Sequence, residues 1–316
     1  MKVVFIGAGA IGGLFGGLLC NSGHKVIFVE REHKIPSLRN SGLRLKMPDS
    51  SVIYVKAEFR ADLRGVNDVD VCVVAVKAYD TRSATTHVAF ANLSCPVILL
   101  QNGLGVEKEA EEVLGRSVAR GLTSCGVMTE EVGVIRAVGL SRTVLGSRDE
   151  DLLEACFEFA DALKSAGLLA EVTRNIDGAT WVKTIVNSSI NPLGTLFNMK
   201  NGELLENEYT RTLLTMIASE GWKVALNLGV ELEPQNPVEE TFAIARATYN
   251  NKNSMLIDVL RGKKTEVDYI NGAIWRLAAT RSFEAVLNKT LYFMVKAIEQ
   301  RTIEAGQGRS RRLSLN

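Results

Sequence analysis

The sequence predicts an α/β domain built on a doubly wound, mostly parallel sheet, followed by an all-α domain. Three observations support this fold class. A glycine-rich turn separates a strand from a helix at the start of the chain, strands and helices then alternate, and from Asp177 onward apolar residues recur at helical spacing. We therefore expect a dinucleotide-binding domain over residues 1–173 and a helical domain over residues 174–316.

The composition is that of a globular enzyme with little net charge. The 316 residues include 37 basic and 36 acidic side chains, for a formal net charge of +1, and 46% of the residues are hydrophobic. This balance argues against a protein that binds nucleic acid or an anionic membrane through bulk electrostatics. The five cysteines are odd in number and lack a C-x-x-C pair. They predict a reducing, cytoplasmic location without a structural disulfide or a metal site.

The uncharged stretch from Val3 to Cys20 offers an alternative to this class, because its eighteen residues approach the length of a membrane span. Six of them are glycine, Lys2 is the only basic residue ahead of them, and no A-x-A cleavage site precedes a polar segment. A strand, a glycine turn and a helix account better for the same residues. We therefore expect neither a membrane span nor a signal peptide.

The first strand, turn and helix predict a dinucleotide site. The apolar run Lys2–Ile6 leads into Gly7-Ala8-Gly9-Ala10-Ile11-Gly12, and a second buried strand follows over Lys25–Val29. In this G-x-G-x-x-G pattern the first glycine permits a tight turn, the second lets a pyrophosphate approach the backbone, and the third lets the helix pack on the strand. The phosphates would bind to N–H groups at the helix start. Glycines that serve packing alone are the alternative.

Residues at the end of the second strand point to two different dinucleotides. Glu30 can accept hydrogen bonds from the 2′-hydroxyl of NAD, whereas Arg31, with Lys34 close behind, can hold the 2′-phosphate of NADP. We favour NADP, because an arginine offers phosphate a planar fork while Glu30 can turn away. Solvated loop charges are the structural alternative.

The other elements of the first domain follow from apolar runs and turn residues. In chain order we expect strands at Val71–Val76, Pro96–Leu100 and Ser117–Thr123, helices at Glu107–Leu114 and Asp151–Ala166, and a strand at Leu169–Val172. Turn residues also predict two antiparallel pairs, Leu43–Lys46 with Val52–Val55 and Gly133–Ala137 with Thr143–Gly146.

Two polar residues closely follow predicted strands. Lys77 comes after Val71–Val76, and Asn102 comes shortly after Pro96–Leu100. The carboxyl ends of strands are where ligands bind in open parallel sheets, so both residues are candidates for the cofactor edge. Alternatively, Lys77 is a charge leaving a core strand and Asn102 belongs to an Asn-Gly turn.

The second domain supplies the candidate for acid catalysis. The three histidines, His24, His33 and His87, all lie in the first half, so the proton donor for hydride chemistry must be another residue type. Lys183, Asn187 and Asn191 are spaced four apart and share one helix face. A merely solvated face is the alternative. The predicted helices are Trp181–Asn191, Thr210–Leu228, Val238–Tyr249, Met255–Leu260, Glu266–Ala279 and Phe283–Ala305.

A second polar cluster precedes two of these helices. From composition alone, Ser254 is expected to cap the helix at Met255. Thr265 with Asp268 fits a capping box, with Glu266 in the first turn of the following helix.

Several short motifs occur in order through both predicted domains. They are Gly7-Ala-Gly-Ala-Ile-Gly12, Val76-Lys77-Ala78, Gln101-Asn-Gly-Leu-Gly105, Trp181-x-Lys183-x-x-x-Asn187-x-x-x-Asn191-Pro192, Asn201-Gly202, Asn251-x-x-Ser254-Met-Leu, Thr265-Glu266-x-Asp268 and Asn271-Gly272. With them the chain resembles the ketopantoate reductases (2-dehydropantoate 2-reductases) over residues 1–306. The resemblance implies a Rossmann domain joined to a helical domain like that of 6-phosphogluconate dehydrogenase. It also implies NADPH-dependent reduction of 2-dehydropantoate to pantoate, on the route to pantothenate and coenzyme A.

The resemblance further implies roles for individual residues. Lys183 is expected to be the general acid, and Glu266 a catalytic partner that binds substrate and helps to place the lysine. Arg31, Lys77 and the glycine turn are expected to bind the cofactor. The expected substrate-binding residues are Asn102, which would also contact the cofactor, Lys183, Asn187, Asn191, Asn201, Asn251 and Ser254.

Two other functions fit the same residues. A reductase of another branched 2-keto acid would share the acid and the cofactor site and differ only in apolar pocket residues. A non-catalytic NADP-sensing protein would keep the first domain, although it would have little need for both Lys183 and Glu266. A homodimer is compatible with the apolar helical half, but the sequence locates no exposed patch.

Overall fold

The computed structural model describes residues 1–232 and 236–313, with side chains up to residue 304. Two compact units are present. Unit 1 comprises Met1–Gln101 and Val106–Ile176, and unit 2 comprises Asn102–Gly105 with the described residues from Asp177 onward. The domain boundary near residue 174 stays a prediction. The sequence did not indicate that the short segment Asn102–Gly105 would pack with the second unit.

Unit 1 consists of strands and helices that mostly alternate. Its strands are β1 Lys2–Ile6, β2 Lys25–Val29, β3 Leu43–Lys46, β4 Val52–Val55, β5 Glu58–Arg60, β6 Val71–Val74, β7 Val97–Leu99, β8 Ala119–Thr123, β9 Gly126–Glu131, β10 Val134–Gly139, β11 Thr143–Gly146 and β12 Ala170–Val172. Its helices are α1 Ala10–Asn21, α2 Ile35–Ser41, α3 Thr81–Phe90, α4 Val106–Leu114 and α5 Leu153–Ser165, with 3₁₀ turns at Glu32–Lys34, Ala78–Asp80 and Glu150–Leu152.

An eight-stranded sheet forms the core of unit 1, in the order β12-β11-β8-β7-β6-β1-β2-β5. All neighbouring strands are parallel except β8 and β11. Strands β6 and β7 are buried along their whole length, as expected for a parallel sheet covered on both faces. The predicted doubly wound, mostly parallel sheet is confirmed.

A second sheet, of order β4-β3-β10-β9, corrects one predicted pairing. The pair of β3 and β4 is antiparallel, as predicted. Strand β10, however, pairs with β9 and β3, whereas β11 joins the main sheet beside β8. The predicted pairing of β10 with β11 is therefore wrong. The cause is local: Val132 and Gly133, with a positive φ at the glycine, form a two-residue connection that turns β9 back on β10.

Helix α1 uses its glycines for close packing against both sheets. A Cβ atom at Gly13 would lie 3.0 Å from the Ile135 side chain, and one at Gly17 would lie 2.9 Å from Leu45, both in the second sheet. A Cβ atom at Gly16 would overlap the Phe28 ring of the main sheet. The uncharged, glycine-rich stretch therefore forms a strand and a helix in the interior of unit 1.

Gly12 and Gly9 form a matched pair for a stability test. A Cβ atom at Gly12 would overlap the Gly7 carbonyl oxygen, whereas one at Gly9 would meet no atom of the described residues within 4 Å. We expect Gly12→Ala to lower the free energy of unfolding by about 1–3 kcal/mol, and Gly9→Ala to change it by less than about 1 kcal/mol. Urea unfolding of both variants measures this difference. Equal effects would contradict the packing role of Gly12.

Unit 2 is helical, as predicted. Within 1–232 and 236–313, none of the helices is long and apolar enough to cross a membrane. The helices are α6 Ile176–Phe197, α7 Glu203–Glu206, α8 Glu208–Asn227, α9 Pro237–Ala247, α10 Ser254–Leu260, α11 Asn271–Ala279 and α12 Val286–Leu313.

Two predicted N-caps in unit 2 are wrong, and α6 and α12 begin at Ile176 and Val286 rather than at Trp181 and Phe283. Helix α10 is capped by Asn253, whose Oδ1 accepts the Leu256 N–H at 2.9 Å, so Ser254 is its first residue and not its cap. Helix α11 begins at Asn271, and Glu266 therefore lies in the preceding turn. The expected capping box does not form, because the Thr265 N–H donates to Glu299 on α12 and the Asp268 carboxylate accepts from Tyr292 and Lys296 instead.

Candidate active site

The glycine turn in unit 1 has the geometry of a phosphate-binding loop. Gly7 has a φ of 101°, and its N–H donates to the Val29 carbonyl at 2.9 Å, which fixes the turn between β1 and α1. Gly9 is the N-cap of α1 and has no side chain to cover the helix start. The space above Gly9 is open, so a pyrophosphate can approach the first N–H groups of the helix.

Glu30 and Arg31 lie at the carboxyl end of β2 with different partners. The Glu30 carboxylate is 9% exposed and accepts from the Lys34 ammonium at 3.0 Å, the Arg31 N–H at 2.9 Å and the Ala8 N–H at 3.2 Å. The Arg31 side chain is 65% exposed and pairs with Asp80 at 3.1 Å. Glu30 is thus held by the protein, whereas the guanidinium of Arg31 faces solvent.

Lys77 lies beside the glycine turn. It follows β6, which is the neighbour of β1 in the sheet, and it precedes the 3₁₀ turn Ala78–Asp80. A Cβ atom at Gly7 would approach the Ala75 carbonyl oxygen to 3.2 Å, so the segments after β1 and β6 are in close contact. The predicted cofactor residues of unit 1 therefore lie together at the carboxyl ends of three adjacent parallel strands. Gly7–Gly12 follow β1, Arg31 follows β2 and Lys77 follows β6.

Asn102 belongs to unit 2, where its segment packs on the turn before α11. The Leu104 N–H donates to the Tyr269 carbonyl at 2.8 Å, and a Cβ atom at Gly103 would overlap that same carbonyl oxygen. The Asn102 Nδ2 donates to Glu266 Oε2 at 3.2 Å. Two predicted site residues that are far apart in sequence are thus in direct contact.

In the middle of helix α6, Lys183 and Asn187 are partly exposed and lie on the same face of the helix. Along the fully described range 180–195, every residue is buried except these two, and Asn191 is 5% exposed. A solvated face would be charged and exposed along its length. The burial around these residues favours a site over the solvated-face alternative.

The turn that carries Glu266 is anchored on both sides to α12. On one side, the Thr265 N–H and hydroxyl donate to Glu299 Oε2 at 2.6 and 2.7 Å. On the other, Asp268 accepts from the Tyr292 hydroxyl at 3.0 Å and from the Lys296 ammonium at 3.4 Å. Glu266 itself is 5% exposed. Its carboxylate is therefore held in a rigid, largely dry turn.

Two pKa shifts accompany this anchor. Burial raises the pKa of Tyr292, and the hydrogen bond that its hydroxyl donates to Asp268 raises it further. For Lys296, burial lowers the pKa, but the hydrogen bond to Glu299 and the charge of Asp268 outweigh burial, so the pKa is raised. Lys296 therefore stays an ammonium that neutralises the two carboxylates flanking the Glu266 turn.

Asn201, Asn251 and Ser254 lie near the carboxyl end of α6. The Asn201 N–H donates to the Asn251 carbonyl at 2.9 Å, and its Nδ2 donates to the Thr248 hydroxyl at 2.8 Å. The Oδ1 atom of Asn201 is buried and has no hydrogen-bond partner among the described residues. Asn251 is half-buried and Ser254 is exposed.

Hydrophobic clusters bring the segments of unit 2 that carry these polar residues together. One cluster joins the Asn102 segment, α6 and α11. A second joins α6 to α8 and α9, and a third joins α10, the Glu266 turn and α12. The apolar neighbours of the predicted site residues in these clusters are Leu104, Val182, Val186, Ile190, Met199, Met255 and Val267.

Two residues that support the site, Glu299 and Asn271, were not predicted from the sequence to have this role. Glu299 holds the Glu266 turn by accepting a hydrogen bond from the Thr265 N–H. Asn271 was noted only as part of a motif, although its fully buried amide donates a hydrogen bond to the Ser188 carbonyl of α6. A signal for Asn271 was present in Pro192, because a proline inside a helix leaves a carbonyl that needs another donor. Glu299 gave no such local signal.

Family models match nearly the whole chain. The model described as "Ketopantoate reductase PanE/ApbA" matches residues 3–150, and "Ketopantoate reductase PanE/ApbA C terminal" matches residues 175–299. The 2-dehydropantoate 2-reductase of Pyrococcus abyssi is 36% identical over 95% of this chain and 98% of the relative. That of Pyrococcus horikoshii is 37% identical with the same coverage.

Solved structures share the fold of this chain. A PanE/ApbA family ketopantoate reductase from Ralstonia eutropha superposes with a TM-score of 0.86 at 29% identity, covering 96% of this chain and 99% of that one. A D-mandelate dehydrogenase with NADH and anilino(oxo)acetate has a TM-score of 0.88 at 24% identity, covering 96% and 99%, and shows a shared fold. On the family models and the archaeal relatives together, this chain belongs to the ketopantoate reductase family.

Proposed function

We propose that this oxidoreductase reduces 2-dehydropantoate (ketopantoate) to pantoate with NADPH, on the route to pantothenate and coenzyme A. The observation that carries the proposal is the contact of Asn102 with Glu266 in the unit whose helix α6 presents Lys183 and Asn187. Family membership supports a nicotinamide cofactor and a small-molecule substrate.

The residues of unit 1 fit a dinucleotide. Gly9 leaves open space over the start of α1, where the dipole favours a pyrophosphate. Lys77 follows the neighbouring strand and adds a positive charge at the same edge. The loop Gly7–Gly12, Arg31 and Lys77 would hold the cofactor, which supplies the hydride when bound.

The preference for NADPH over NADH rests on Arg31. Glu30 already accepts three hydrogen bonds from the protein, which makes it a poor additional acceptor for a ribose 2′-hydroxyl. The ion pair of Arg31 with Asp80 is exposed, and such pairs contribute little free energy, so a phosphate can replace Asp80 as its partner.

Replacing Arg31 by alanine tests this preference. We expect Arg31→Ala to weaken NADPH binding by about tenfold and to leave NADH binding nearly unchanged, because only NADPH has the 2′-phosphate. Cofactor fluorescence titrations measure both affinities. Arg64→Ala is the matched control, since Arg64 is also exposed and paired with an aspartate, Asp62. Equal losses for NADPH and NADH would remove the assignment of Arg31.

Unit 2 supplies the groups that act on the substrate. As the hydride reaches the ketone carbon, the oxygen becomes an alkoxide, which the ammonium of Lys183 can stabilise and protonate. Asn187 and Asn191 can bind the carbonyl and hydroxyl oxygens without adding charge, and the Ser254 hydroxyl can donate to the carboxylate. The Oδ1 atom of Asn201, which is buried without a described partner, can accept a hydrogen bond from a substrate hydroxyl.

A steady-state assay of NADPH oxidation tests the proposed function. Ketopantoate is compared with other branched 2-keto acids, each with NADPH and NADH side by side. We expect the highest kcat/KM for ketopantoate with NADPH. A higher value for another keto acid would make the protein a reductase of that acid. Tight NADPH binding without oxidation by any keto acid would indicate a sensor instead.

A further inference from the structure

We propose that Asn271 supplies the hydrogen bond that Pro192 removes from α6, and thereby positions the helix face that carries Lys183, Asn187 and Asn191. Asn271 is thus a positioning residue, which acts through α6. Its effect on turnover rests on the proposed function, whereas the hydrogen-bond replacement does not depend on it.

Pro192 lies inside α6, which remains helical from Ile176 to Phe197. In an α-helix the N–H of residue 192 would donate to the carbonyl of Ser188, but proline has no N–H. Ser188 is fully buried, so water cannot easily replace this donor. An unpaired buried carbonyl is costly, and another group must therefore satisfy it.

Asn271 provides the missing donor. Its Nδ2 lies 2.9 Å from the Ser188 carbonyl oxygen and 3.0 Å from Asn288 Oδ1, and the side chain is fully buried. The two hydrogens of the amide nitrogen thus match two acceptors. A flipped amide would place an oxygen against both acceptors, so the hydrogen-bond pattern decides the orientation.

Asn271 is itself held from the other side. Asn288 donates from its Nδ2 to Glu220 Oε1 at 2.9 Å, and Glu220 also accepts the N–H groups of Leu287 and Asn288 at 2.9 and 2.8 Å. These N–H groups belong to the first turn of α12, where a negative charge is favourable. A chain of hydrogen bonds therefore runs from Glu220 on α8 through Asn288 on α12 and Asn271 on α11 to the Ser188 carbonyl of α6.

The position of this bond connects it to the candidate site. Asn187 directly precedes Ser188, and Asn191 directly precedes Pro192, so the missing bond spans the turn of α6 that begins just after Asn187 and contains Asn191. Helices bend most readily at proline, where a ladder bond is absent. The Asn271 bond therefore sets the separation and direction of Lys183 and Asn187 relative to Asn191.

A double-mutant cycle between Asn271 and Pro192 tests the proposal. Leucine at 271 keeps the branched shape of the side chain, although it is larger, and removes the donor, whereas alanine at 192 restores an N–H to α6. We expect Asn271→Leu to lower kcat/KM for ketopantoate by roughly ten- to hundredfold, mainly through KM, and to leave the KM for NADPH unchanged. In the Pro192→Ala background we expect the same substitution to cost less than about threefold.

The same cycle is measured by urea unfolding, which does not require turnover. We expect Asn271→Leu to lower the unfolding midpoint more in the wild-type background than in the Pro192→Ala background, where only the lost bond to Asn288 remains uncompensated. Asn271→Ser, which is too short to reach both acceptors, serves if the leucine variant does not fold. Asn207→Ala is the matched control, because the Asn207 side chain caps α8 by accepting the Tyr209 and Thr210 N–H groups and takes no part in the hydrogen bonds of Asn271. It should lower the midpoint equally in both backgrounds and leave kcat/KM unchanged.

The outcomes separate this proposal from the proposed function. Equal losses from Asn271→Leu in both backgrounds, in the unfolding midpoint and in kcat/KM, would overturn the replacement of the Pro192 bond. Rescue of the midpoint without rescue of kcat/KM would overturn the positioning role. A wild-type protein that does not reduce ketopantoate would overturn the proposed function, and the unfolding cycle would still decide whether Asn271 replaces the missing donor.

Discussion

Lys183→Ala is expected to lower kcat for ketopantoate reduction by about 10²- to 10⁴-fold, the range of a lost general acid. The alkoxide that forms on hydride transfer would lose both its stabilising charge and its proton donor. The affinity for NADPH should remain nearly unchanged, because the glycine turn, Arg31 and Lys77 lie in unit 1, whereas Lys183 lies in unit 2. Stopped-flow measurement of NADPH oxidation and a separate NADPH titration test the two parts of this expectation.

Lys223→Ala provides the matched control, since Lys223 is an exposed lysine on α8 of the same unit. It should retain the wild-type rate. A Lys183→Ala variant that turns over at the wild-type rate would refute the assignment of the acid. A loss of NADPH affinity as large as the loss of rate would show that Lys183 serves cofactor binding instead.

Glu266→Gln is expected to lower kcat/KM by about ten- to hundredfold, the scale of one hydrogen bond to a charged group. Glutamine keeps the shape and an acceptor for the Asn102 Nδ2, but it removes the negative charge from the turn. The substitution therefore tests the charge separately from the packing. Steady-state kinetics with ketopantoate give the change in kcat/KM, and urea unfolding verifies that the fold is intact.

Two comparisons strengthen the Glu266 experiment. Glu239→Gln removes an exposed carboxylate from α9 and should leave kcat/KM unchanged. Asn102→Ala removes the amide that donates to Glu266 Oε2 and should reduce the effect of Glu266→Gln when the two are combined, because residues in contact are energetically coupled. Full activity of Glu266→Gln would exclude a role for the carboxylate charge in the reaction.

Local sequence patterns predicted most of the first unit. The turn Gly7–Gly12 and the strands on either side could be identified because each depends on neighbouring residues: apolar runs, backbone freedom and turn geometry. The pairing of β10 with β11 was mispredicted because the turn at Val132 and Gly133 pairs β10 with β9, so that β11 joins β8 in the main sheet. Strands β5 and β9 were missed, since β5 is three residues long and β9 is only partly buried.

Helical spacing predicted part of the candidate site in the second unit. The spacing of Lys183, Asn187 and Asn191 placed all three on one face, and the structure bears out that they share α6. The position of Glu266 was predicted less well, because hydrogen bonds to residues of α12 override its local helix signals. Its contact with Asn102 joins residues 164 positions apart and has no signature in either local sequence.

Periodicity and motif order were therefore enough to identify the fold class, the family and the residue types of the candidate site. They depend on interactions within a few residues, which a single sequence displays directly. Tertiary packing was needed to bring Asn102 to Glu266, to bind the Glu266 turn to α12 and to place Asn271 under the carbonyl that Pro192 leaves unpaired. Those contacts form because buried polar groups must find partners wherever the folded chain brings a donor within reach.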